Sequence, residues 1–147
     1  MRDRVFIREN EAARQELAEV IARLDERSFQ FAVGSGWNVS ALLCHLAFWD
    51  QRVLFLLREW ERGKVETFRL SSQSIDSINE AVKAISQAVP SSAAAKLALD
   101  SAAAVDSLLE GIGDELCGQI ISAGFERYLK RSLHRREHLR KINEGLG

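Results

Sequence analysis

Proline and cysteine are nearly missing from this chain. One proline, Pro90, stands in 147 residues, and long stretches have no turn residue at all. Strand-rich folds need frequent turns, so this scarcity excludes them. The two cysteines, Cys44 and Cys117, are far apart and form no disulfide framework, which suits a reducing compartment. A charge excess is also lacking. Twenty Lys and Arg against 21 Asp and Glu leave a net charge of −1, which removes any global pull toward nucleic acid or a membrane surface. No run of about 18 uncharged apolar residues occurs, so no transmembrane helix is expected. Met1-Arg2-Asp3-Arg4 leads straight into a charged amphipathic segment, without the apolar stretch of a signal peptide. The expected location is cytoplasmic.

What is present is ordinary for a globular protein: 46% hydrophobic and 28% charged residues. The length fits one domain, 1–147, able to hide roughly 70% of the surface its unfolded chain would expose. Apolar positions from Val5 to Phe31, mixed with Glu, Arg and Ala, predict a first helix over 5–31 that stops at Gly34-Ser35-Gly36. Asn38 is a good N-cap, with Trp37 before it and Leu42 inside as a hydrophobic staple. This second helix runs to about Arg62 and ends at Gly63, with an apolar stripe through Leu42, Leu46, Trp49, Val53, Leu56 and Trp60. Residues 63–73 form a connection, long for a hairpin between neighbouring helices. A third helix begins near 74, with Ile75, Ile78, Val82, Ile85 and Val89 as its apolar positions. It meets Pro90 and continues, broken or as a separate helix, to about Leu109. The last helix covers about 118–144. The expected fold is all-α.

The three histidines, His45, His134 and His138, are the main candidates for chemistry. His134 and His138 are four apart on one helix, so their imidazoles share a face. His45 belongs to the apolar stripe of the second helix. A core-facing imidazole must satisfy two ring nitrogens, and metal ligation with one outer hydrogen bond does so. A satisfied core histidine and a solvated H-x3-H pair are equally compatible with this spacing.

The segment Gly36-Trp37-Asn38-Val39-Ser40-Ala41-Leu42-Leu43-Cys44-His45-Leu46-Ala47-Phe48-Trp49-Asp50 resembles the second-helix motif of the DinB/YfiT-like superfamily. Ser132-Leu133-His134-Arg135-Arg136-Glu137-His138 resembles its last-helix H-x3-H motif, and Ile75-Asp76-Ser77-Ile78-Asn79 is similar to a segment that often opens the third helix. The resemblance spans nearly the whole chain. Asn38 stands where Ser is more usual and Ala41 where an acidic residue is frequent. The resemblance implies a four-helix bundle with a long crossover between helices two and three, which the 63–73 connection would supply. It implies a divalent metal (zinc, nickel or iron) held by His45, His134 and His138, and a homodimer. The activity it implies is that of a thiol-dependent S-transferase using a low-molecular-weight thiol cosubstrate, or of a hydrolase, acting on a small molecule. A non-catalytic metal-binding stress-response bundle is the alternative.

Three protein ligands leave positions open for water or a thiol, whose anionic form the cation favours. Arg127 and Arg131 project on the same side of the last helix as the two histidines, and Arg52 on the same side as His45. These guanidiniums are candidates for holding an anionic substrate, unless they pair with Glu59, Glu126 or Glu137 or stay solvated. Trp49 is the candidate apolar wall beside the metal. Glu137 points away from His138 and is not expected to ligate. Cys44 reads as a small buried apolar side chain. The basic run Arg127, Lys130, Arg131, Arg135, Arg136, Arg140 and Lys141 has no aromatic interleaving beyond Tyr128. It reads as a solvated face, and no nucleic-acid partner is expected.

Overall fold

The computed structural model of the chain describes residues 4–65 and 69–146. In order these form α1 (Val5–Ala22), α2 (Glu26–Phe29), β1 (Ala32–Gly34), β2 (Trp37–Asn38), α3 (Val39–Arg62), α4 (Ser72–Ser86), α5 (Ser91–Glu110), α6 (Asp114–Ser122), α7 (Glu126–Leu129) and α8 (Arg131–Leu146). Among the described residues the all-α expectation holds apart from one two-stranded hairpin.

The second predicted helix is found as expected. The Asn38 side chain accepts a hydrogen bond from Ala41 N at 2.7 Å, and α3 closes at Gly63. It is long and apolar enough to pass for a membrane span, but most of it is buried inside the protein. Its buried stripe passes through Leu57 rather than Leu56, and carries Asp50 between Leu46 and Val53. Pro90 separates α4 from α5, so the third helix is two helices. The stripe expected on α4 is mostly not buried, with Ile85 69% exposed, because α4 packs on α3 from outside the core. The connection predicted at 63–73 ends at Ser71, which caps α4, and its residues 66–68 lie outside those described.

Two predicted helices are broken. The first ends at Ala22 rather than 31, because the Asp25 carboxylate accepts from Ser28 N at 2.7 Å and starts α2 in a new direction. Residues 32–38 then pair as an antiparallel hairpin whose turn, Gly34-Ser35-Gly36, has positive φ throughout. The last helix, predicted over 118–144, is α6, α7 and α8. Gly124, at φ +83°, ends α6 in a Schellman motif: Phe125 N bonds Ile120 O and Gly124 N bonds Ile121 O. The second break, at Lys130, is closed from outside. The Asn10 side chain donates to Leu129 O and accepts from Ser132 N, both at 2.8 Å.

The long helices α1, α3, α5 and α8 pack on one another. Ala94, Ala98 and Ala102 lie one turn apart on α5, all buried, and their small side chains allow close approach. One apolar cluster includes Leu17, Leu42, Leu46 and Ile142, and a second includes Phe6, Val53, Leu57 and Ile120. Between them along the helices lies a polar layer. Arg135 donates to both oxygens of Asp106 at 2.8 and 2.9 Å, to Asp50 at 3.3 Å and to Asn10 O at 3.0 Å. Arg131 donates to the other oxygen of Asp50 at 2.9 Å, and Arg14 to Asp106 at 3.0 Å. The solvated face read from the basic run is therefore corrected at Arg131 and Arg135, which are 5% and 0% exposed: buried carboxylates on two other helices hold them inside.

Removing one partner of a buried charge network leaves the others uncompensated. Arg135→Met is expected to cost about 3–5 kcal/mol, measured by denaturant unfolding. A loss below about 1 kcal/mol would show that the layer carries little of the stability.

Candidate metal centre

His45 reaches the centre from α3, placed by the Asn38 cap and by the Trp37 ring, which meets the His45 ring edge-on at 5.3 Å between centroids. His134 and His138 come from successive turns of α8. The Nε2 atom of His45 lies 3.0 Å from Nε2 of His134 and 3.1 Å from Nε2 of His138. Four-coordinate ligands at about 2.0–2.1 Å from one ion stand about 3.3 Å apart, so this convergence is close to that of a shared ion. His45 and His138 are each 7% exposed.

Burial is the main reason all three imidazoles resist protonation. It lowers His45 and His138 to about 4, aided by the charge of Lys141. For His45 the His138 ring adds more than Lys141 does. His134 is held well below its ordinary value by burial first and then by Arg131. At neutral pH the cluster is thus neutral and its lone pairs are available. A neutral imidazole carries one N–H, and Nδ1 of His45 and of His138 is buried without a hydrogen-bond partner. Three uncharged nitrogens facing one another satisfy each other poorly, and a cation among them removes that conflict. The donor set fits a divalent metal ion.

A cavity of about 530 Å³ adjoins the cluster, lined by all three histidines. Trp49 is in its wall, half-buried, and its Nε1 donates to Asn79 Oδ1 at 2.8 Å. The arginines are placed differently from one another. Arg127 lines the cavity and is exposed. Arg131 lines it too, but its Nε is committed to Asp50, and its Nη2 lies 3.4 Å from His134 Nδ1. Arg52 is not in the lining: it donates to Tyr128 Oη at 3.1 Å and stands over the Trp49 ring. The pairing considered for these arginines does not involve Glu59, which meets Arg62, or Glu126, which meets Lys130. Glu137 is exposed at the cavity wall. Cys44 is buried with no disulfide, and burial raises its thiol pKa.

Sequence reasoning missed two groups. Arg69, from the connection after α3, lines the cavity and donates to Ala123 O and Gly124 O, both at 3.0 Å. Nothing in the local sequence marks it. Asp50 and Asp106, which hold the histidine-bearing helix, had a signal: each is a carboxylate within an apolar stripe.

The family model of the DinB superfamily matches residues 9–134. His45 and His134 fall within that match, and His138 lies one turn past its end. No curated protein and no solved structure matches the chain.

A histidine whose folded pKa lies below its unfolded value takes up a proton on unfolding, so acid favours the unfolded state. The metal-free protein should keep this contribution above pH 6.5 and lose it as the pH falls to about 4. The loss is up to roughly 3 kcal/mol for each of His45 and His138. Urea unfolding of chelator-treated protein across that range checks it. The double variant His45→Gln/His138→Gln should flatten the slope, and an unchanged slope would assign the acid sensitivity elsewhere.

Proposed function

The chain belongs to the DinB superfamily, and from that premise we propose that it is a divalent-metal-dependent enzyme acting on a small molecule, of the thiol S-transferase type or a hydrolase. The observation that carries this reading is the meeting of three Nε2 atoms on the wall of an open cavity. His45, His134 and His138 hold the ion, and α1, α3, α5 and α8 serve as the four-helix bundle that the resemblance implies. When bound, the ion supplies Lewis acidity, favouring the anionic form of a thiol or water at its open positions.

The chain's own residues do the rest. Burial keeps the imidazoles neutral, each with a lone pair free for a metal. Trp49, fixed through Asn79, gives a flat apolar wall against which a substrate can lie. Arg127 is the guanidinium best placed to take a substrate anion, because no carboxylate among the described residues holds it. Arg131 acts from deeper, its charge facing the cavity while Asp50 fixes its position. Arg52 contributes by holding Tyr128 and covering Trp49. A homodimer, also part of this reading, has a candidate face on α3, where Phe48 and Phe55 are 38% and 61% exposed two turns apart.

Element-specific analysis of protein purified without nickel resin tests the metal. Wild type is expected to hold about one divalent ion per chain, and His134→Ala to bind it on the order of 100-fold more weakly or worse. A metal-free wild type that His45→Ala leaves unchanged ends the reading. A panel of low-molecular-weight thiols with a bimane-type electrophile then tests the transferase: turnover should require both the thiol and the ion, and Arg127→Ala should raise KM for a carboxylated thiol.

A further inference from the structure

The imidazole cluster has a second side. A cavity of about 540 Å³ is walled by the β1–β2 hairpin, α4 and α8, and His45, Asn79 and His138 line it as they line the first. None of the described arginines lines it. His45 and His138 are therefore shared by two cavities of similar size and different chemistry, while His134 lines only the first.

The charges of this second cavity can be counted. Asp76, Glu80 and Lys141 line it, and Lys83 stands at its rim. Lys83 is spent: its Nζ meets Glu80 at 3.0 Å, donates to Ser35 O at 3.0 Å and lies over the Trp37 ring. That pairing also uses Glu80. Asp76 and Lys141 are left, one carboxylate and one ammonium, with no ion-pair partner among the described residues. Two buried imidazoles complete the wall, and neither Nδ1 has a hydrogen-bond partner. Free charges of both signs in one small cavity complement a ligand carrying both, whereas a singly charged ligand leaves one of them unanswered.

We propose that the hairpin-side cavity is a second small-molecule subsite for a zwitterion of amino-acid type. Its ammonium pairs with Asp76, its carboxylate pairs with Lys141, and its remaining stem lies against Trp37. The inference rests on the metal-dependent reading above and deepens it. Two reactants in a transfer reaction would approach His45 and His138 from the two cavities those imidazoles line, the anionic one past Arg127 and the zwitterionic one past Asp76. Neither would have to leave for the other to enter.

Three molecules with the same branched stem test this by calorimetry on the metal-loaded protein: leucine, 4-methylpentanoate and 3-methylbutylamine. Leucine is expected to bind about tenfold tighter than either singly charged analogue. Asp76→Asn and Lys141→Gln should each remove that advantage. Leucine should change the tryptophan emission of a Trp49→Phe variant and not that of Trp37→Phe. Equal affinities for the three molecules overturn the proposal. So does a leucine preference that survives both charge variants, which would mean chelation by the ion. Metal content measured on the same samples separates the two readings. Charge-dependent leucine binding in a protein that holds no ion keeps the subsite and sinks the metal centre. A loaded protein with no leucine preference sinks the subsite alone.

Discussion

Arg135 has no exposed surface, and its guanidinium meets both oxygens of Asp106, one of Asp50 and a carbonyl of α1. Taking such charges out of water is expensive, and replacing them together by apolar groups is often neutral or better for stability. Their value here lies in position. The helix that carries Arg135 has few apolar residues to set its depth and rotation: its buried set is Arg131, Ser132, Arg135, His138, Leu139 and Ile142. Leucine and isoleucine packing tolerates small slips, but a bidentate pair does not. The register of α8 against three other helices is fixed largely by this layer.

The metal centre inherits that register. His134 flanks Arg135 and His138 lies one turn on, so a rotation of α8 that broke the Asp106 pair would also separate the imidazoles from His45. Asp50 works from both ends. It sits on the same helix as His45 and grips Arg131 and Arg135, one oxygen each. The two histidine-bearing helices are thus joined by ion pairs beside the place where they share a ligand set. Burial then keeps the imidazoles neutral.

Much of this was legible in residue spacing. The Asn38 cap and Gly63 marked the two ends of α3, because caps are local chemistry. The H-x3-H pair and the His in an apolar stripe marked the centre. Gly124 carried the signal of the broken last helix, and the periodicity on either side hid it. Other features had no local mark. Asn10 closes the α7–α8 break from 119 and 122 residues away, and the burial of Arg135 depends on carboxylates of two other helices. A basic run looks the same in sequence whether water or aspartate answers it. The exposed stripe of α4 fails for a related reason: periodicity shows which residues share a face, and only the fold says whether that face is covered.

The Asn10 bridge and the Arg135 pairs also order events in time. Asp50 leaves the ribosome well before Arg131 and Arg135, which neutralise it, and His45 precedes its partners by 89 and 93 residues. A nascent chain that has made α1, α3 and α5 has Arg14 to meet Asp106 but no cation yet for Asp50, which α8 alone supplies. Packing those helices then would bury uncompensated charge, so the early helices should stay loosely associated until α8 arrives. A protein assembled in this way closes in one late step, and the same step that completes the interior completes the ligand set.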